Sequence, residues 1–152
     1  MRLHDGQGVT FELGVDGYQF PDSDEYWDAN WLMVRGRIEH PRESWTFRDP
    51  CLTTFELEQL AEWFESVVAG KADPANGYFT EPNLHFSQGS TPEPTIDVTF
   101  AYESAPPWLT GHEPRLEGTV VSFPLRLNDP LELASSLRRM LAMHPIRALP
   151  ER

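Results

Sequence analysis

Glu58, Glu62 and Glu65 are the side chains whose type and spacing first suggest chemistry. At about 100° of rotation per residue, and with Leu57 as zero, they fall at about 100°, 140° and 80°, a single carboxylate stripe beside an apolar one. No Lys or Arg shares the helix they imply. Like charges at i, i+4 cost roughly 0.2–0.5 kcal/mol, a penalty that one lysine would remove. The stripe is therefore either a solvated face or a surface built to meet a cationic partner. A second group, Asp22, Asp24, Glu25 and Asp28, lies in PDSDEYWDAN, and from Asp16 to Asp28 there are five acids and no base. Oxygens at near-alternate positions in DSDEYWD invite a calcium reading. The stretch lacks the glycine and distal glutamate of an EF-hand loop, so a solvated or partner-facing loop is the better reading.

The catalytic templates fail on spacing or on partners. There is no G-x-S-x-G elbow, Walker loop, dinucleotide fingerprint or H-E-x-x-H pair. Cys51 precedes a helix start, where a dipole would favour a thiolate, but a small buried hydrophobe at the helix entry is the expected role. The five histidines are scattered, with no short ligand spacing, so no metal site and no cofactor are expected. One alternative of a different class is kept: a small hydrolase or ligand-binding cleft near Glu81, His85 and Trp108. Trp27, Trp31 and Trp108 sit in or beside irregular stretches, where a large ring is a loop anchor or an interface hot spot.

The elements that must position these groups can be read in order. Residues 8–15 alternate Val9, Phe11, Leu13 and Val15 against small or polar neighbours, a half-buried strand ended by an Asp16-Gly17 turn. A loop over 21–30 follows, anchored by Tyr26 and Trp27. Residues 31–40 read as a strand with Trp31, Met33 and Ile38 inward, and 44–48 as its hairpin return, stopped by Asp49-Pro50. Leu57, Leu60, Ala61, Phe64, Val67 and Val68 then mark one face of an amphipathic helix. Thr53 or Thr54 caps it, Glu56 sits in its first turn and Gly70 ends it.

KADPANG is a loop by composition. Short strands are expected at 78–80 and 84–87, a half-exposed strand at 95–102, an irregular SAPPWLTGHEP segment and a last strand at 116–125. A second helix runs from Pro130 to about His144, capped by Asn128 or Asp129, with Leu133, Leu137, Met140, Leu141 and His144 as its buried stripe. The tail from Pro145 is expected to fray. The sum is an α+β fold: an antiparallel, mostly hairpin-connected sheet of six or seven strands packing one central amphipathic helix and one C-terminal helix.

The totals restrict the function classes. At 152 residues the chain is expected to form one domain, and nine Phe, five Trp and four Tyr give it ample material for a core. A single cysteine, a start without an apolar h-region and the lack of any long apolar run predict a cytoplasmic chain. With 24 acids against 12 bases the formal net charge is −12. Such a field repels phosphate backbones and anionic membranes, so neither nucleic acid nor membrane is an expected partner. The imbalance is also local: residues 49–113 hold eleven acids and one base, Lys71.

YWDANWL (26–32), DPCLTTFELEQLAEWF (49–64), FTEPNLHF (79–86) and SAPPW (104–108) together resemble the motif series of the WapI (wall-associated-protein) immunity family. Those are small bacterial proteins that neutralise the C-terminal toxin domain, often an RNase, of a secreted contact-dependent toxin. The resemblance implies a non-enzymatic inhibitor that binds a cognate toxin domain in the cytoplasm of the producing cell, and it carries over no catalytic residue. The charge reading converges on it independently, because a nuclease must attract phosphate and its active face tends to be basic. The expected contact surface is Asp22, Asp24, Glu25 and Asp28 of the loop with Glu58, Glu62 and Glu65 of the helix.

Overall fold

The computed structural model describes residues 1–71 and 77–147. The middle of KADPANG and the last five residues lie outside that range. Strands β1 (Arg2–His4), β2 (Thr10–Tyr18), β3 (Trp31–Glu39) and β4 (Trp45–Thr53) form an antiparallel four-stranded meander. Helix α1 (Thr54–Val68) follows without an intervening turn. A second meander, β5 (Leu84–Gly89), β6 (Thr95–Phe100) and β7 (Thr119–Pro124), contains the short helix α2 (His112–Glu117) between its last two strands. Helix α3 (Pro130–Met143) closes the order.

The expected single sheet of six or seven strands is thus two sheets, of four and three. The reason lies at Thr53, which ends β4 and caps α1, so the chain leaves the first sheet as helix. Residues 78–80, read as a strand, carry no strand pairing. The sheets meet face to face around Phe100 of β6: its ring takes Phe11 edge-on at 4.9 Å, Trp45 at 5.5 Å and Phe47 at 6.3 Å. Helix α1 sets Phe64 against Phe86 of β5 at 6.2 Å and packs along α3. One hydrophobic cluster joins both sheets to both long helices. Asn128 knits the outer edge, donating to the His4 and Pro124 carbonyls, each at 2.8 Å, and accepting from the His4 N–H at 3.0 Å.

Four strand readings change. The Asp16-Gly17 turn is a bulge inside β2: Val15 pairs with Val34 and Gly17 with Met33, which leaves Asp16 as the extra residue. In β3 the buried parity is Leu32, Val34, Gly36 and Ile38, while Trp31 and Met33 share the half-exposed or exposed side with Arg35 and Arg37. Gly36 belongs inside because the Phe47 ring occupies the space where its Cβ would stand. Strand β4 runs through Asp49-Pro50 to Thr53, absorbing one extra residue between its pairings with Val34 and Leu32. The first part of the last expected strand is α2, and β7 begins at Thr119.

The helix readings hold with finer detail. Thr53 is the N-cap of α1 in a reciprocal capping box: its hydroxyl accepts from the Glu56 N–H at 3.2 Å and the Glu56 carboxylate accepts from the Thr53 N–H at 2.8 Å. Glu56 also accepts from the Thr80 N–H at 2.6 Å, fastening the 77–83 segment to the helix start. Trp63, which lies off the expected apolar face, is only 3% exposed, while Val68, expected on that face, is 52% exposed. Asp129 caps α3, with Pro130 at its first position. The tail does not fray at Pro145: the Tyr18 hydroxyl donates to its carbonyl at 2.5 Å and Arg147 is held at several points.

Candidate functional site: an acidic loop and helix face

Asp22, Asp24, Glu25 and Asp28 are exposed on the connection between β2 and β3. Beneath them the chain is tied down by Asn30, a fully buried side chain that uses both ends of its amide. Its nitrogen donates to the Tyr26 carbonyl at 2.7 Å and the Arg147 carbonyl at 2.6 Å. Its oxygen accepts from the Thr54 hydroxyl and from the Arg147 N–H, each at 2.8 Å. A buried amide with all four bonds made fixes its neighbours, since moving any of them strands a polar group. Three elements are thereby held together: the acidic loop, the first turn of α1 and the segment after α3.

Aromatic contacts bring the loop to the helix. Tyr26 is tilted over Phe55 at 5.1 Å, and Trp27 meets Tyr26 at 5.1 Å and Phe55 at 6.1 Å, both edge-on. Phe55 stands one turn before Glu58, so the carboxylate stripe begins beside the loop. Glu62 is exposed, and Glu58 and Glu65 are partly exposed. Glu65 differs from the others. Arg138 of α3 grips it through Nε at 2.8 Å and Nη2 at 3.0 Å. That guanidinium holds the Glu65 carboxyl below the ordinary carboxylate range. In return Glu65 raises the pKa of Arg138, with smaller contributions from Glu62 and Glu58, so all three glutamates lie in one field. Among the described residues, none of the other six carboxylates makes an ion pair.

Apart from Arg138 and from Arg147 beneath the loop, a group of cations lies elsewhere. Arg2, Arg35, Arg37 and Arg48 are exposed on the first sheet, paired with Glu12, Asp16 and Glu39. Asp16, pushed out by the bulge, accepts from Arg35 and from Arg48 Nε at 2.9 Å. Hydrogen bonds from Arg48 first and Arg35 second lower its pKa.

The described clefts do not bring the residues of the alternative reading together. Trp108 lies edge-on to Trp45 at 5.5 Å and lines a cleft of about 360 Å³ whose walls include neither Glu81 nor His85. His85 stacks on Tyr78 at 4.0 Å, and burial lowers its pKa. Glu81 is exposed. A carboxylate pair that the sequence did not reveal is Asp49 with Glu103, bridged by the Asn83 amide at 3.0 Å to each. Burial raises the Asp49 pKa, followed by the charges of Glu103 and Glu81. Cys51 is 1% exposed, and burial pushes its thiol far up, so it packs as a hydrophobe. No helix among the described residues is long and apolar enough to cross a membrane. No group of three or more His, Cys, Asp or Glu among them is arranged to hold a metal ion.

Asn30 and Arg147 are the site residues that sequence reasoning did not place there, whereas Trp27 was read as an anchor of the loop or an interface hot spot. Trp27 carried a signal, as a large ring in an acidic loop; Asn30 and Arg147 carried none, because their partners are 24 and 117 residues away.

Together these features define a small α+β scaffold that presents a fixed, largely uncompensated acidic face. The Immunity protein WapI-like family matches residues 2–145, nearly the whole chain, and the chain belongs to that family. No curated protein and no solved structure matches it.

Proposed function

We propose that this chain is a cytoplasmic, non-enzymatic immunity protein, acting as one domain over residues 1–152, that binds a cognate basic toxin domain and neutralises it by covering its working face. The observation that carries the reading is the rigid acidic surface: Asp22, Asp24, Glu25, Asp28, Glu58 and Glu62 are without ion-pair partners among the described residues, and Glu65 continues their stripe. Family membership supplies the immunity role. A nuclease is the toxin chemistry that fits best, since an enzyme that draws in phosphate presents the cationic field this surface complements. No cofactor is needed, because covering a site takes contact and charge alone.

The test is charge reversal. The triple variant Glu58→Lys, Glu62→Lys, Glu65→Lys is expected to lose binding to the cognate toxin domain and to lose protection of cells expressing it, while its circular dichroism spectrum stays that of wild type. Undiminished binding and protection would refute this surface. The hydrolase reading gains no support from the cleft at Trp108, whose described lining includes neither Glu81 nor His85.

A further inference from the structure

Trp27 is 62% exposed, and Phe20 in the same connection is 43% exposed. Large rings left in water at this level are characteristic of interface anchors, where a Trp seated in a partner's pocket carries a disproportionate share of affinity. Here the ring is not free to wander: Tyr26 and Phe55 hold it edge-on from two sides. The loop beneath is clasped by Arg147, whose guanidinium donates to the carbonyls of Pro21 at 2.8 Å and Ser23 at 3.0 Å and lies 4.4 Å over the Tyr18 ring. Its backbone N–H and carbonyl are taken by Asn30.

We propose that Trp27 is the anchor of the toxin-binding surface and that Arg147 is a positioning residue, which holds the 21–30 loop in its binding form before the partner arrives. The inference rests on the immunity reading above and deepens it. It commits to one occupant: a basic protein domain with an apolar pocket for the indole and a rim of Lys or Arg facing Asp24, Glu25, Asp28 and Glu58. Charge complementarity selects that occupant. A second copy of this chain would bring the same carboxylates to the contact and be repelled, as would a nucleic acid. Preorganisation matters because a loop already ordered loses little conformational freedom on binding, so affinity is not spent on folding it.

The experiment uses the full chain and a catalytically inactive form of its cognate toxin domain, identified as the basic toxin domain whose toxicity this chain relieves when the two are expressed together. Trp27→Ala is expected to weaken binding by about 30-fold or more, with Trp27→Phe recovering part of the loss. Arg147→Ala is expected to weaken it by about 10-fold and to speed amide hydrogen exchange in the free protein at residues 21–30, with exchange in α1 and the sheets unchanged. That local signature separates positioning from a general loss of stability. If wild type binds and both alanine variants bind as tightly, the anchor is refuted while the immunity reading stands. If wild type does not bind the toxin domain, both fall. Self-association of wild type that Trp27→Ala abolishes would assign the surface to a second copy and overturn the proposal.

Discussion

Arg138 meets the helix stripe at Glu65 and is the place where a single substitution separates binding from stability. An exposed ion pair of this kind contributes under about 1 kcal/mol, so Arg138→Gln is expected to leave the thermal midpoint nearly unchanged. Removing its charge unmasks Glu65, and the association rate with a basic toxin domain is expected to rise about two- to fivefold at low salt; stopped-flow measurement checks it. Asp16 offers the pH counterpart. Its folded pKa lies below the unfolded value of about 3.9, so its contribution to stability is fully present above about pH 4 and is lost as pH falls through the lowered folded value. Asp16→Asn is therefore expected to be less stable than wild type at neutral pH, with the difference closing on acidification, as denaturant titrations at several pH values would show. The charges of these residues were legible in the sequence, but the partners of Arg138 and Asp16 were not. Glu65 and Arg138 are 73 positions apart, and Asp16 faces its two arginines only because a bulge adds a residue to β2.

The elements were legible where local chemistry decides them. Helix α1 carries its apolar period, its cap and its terminal glycine within one short stretch, and the structure places them as read except that Val68 of the expected apolar face is exposed and Trp63 is buried. Sheet membership was not legible, since alternating strands joined by turns fit one sheet or two equally well. Parity in β3 went wrong because Gly36 looks like a gap and Trp31 looks like core; Arg35 and Arg37, on the same parity as Trp31, were the sounder guide. The capping box gives the prediction at this scale. Thr53→Ala is expected to cost about 1 kcal/mol. Glu56→Ala is expected to cost at least about 2 kcal/mol, because Glu56 is 6% exposed and its loss strands the N–H groups of Thr53 and Thr80. Equilibrium urea unfolding ranks the two. Equal costs would mean that the 77–83 segment gains nothing from its tie to the helix.

Across the whole molecule, charge is sorted by face. Four arginines lie on the first sheet with their own acids, while the carboxylates of the β2–β3 loop and of the α1 stripe make no ion pair among the described residues apart from Glu65 with Arg138; Arg147 lies beneath the loop on its carbonyls. Both sheets and both long helices share one hydrophobic cluster, so the acidic face is mounted on a common core and held at its edge by Asn30 and Arg147. A surface of that kind acts by its field, drawing an oppositely charged partner in and orienting it before contact. The most direct measurement is the association rate with an inactive form of the proposed cognate toxin domain as salt is raised from about 10 mM to 0.5 M, a range that shortens the screening length from about 30 Å to a few ångströms. The account predicts a steep fall in the wild-type rate, and a slow, nearly salt-independent rate for a variant carrying Asp24→Asn, Asp28→Asn, Glu58→Gln and Glu62→Gln. A wild-type rate that ignores salt and matches that of the variant would contradict it.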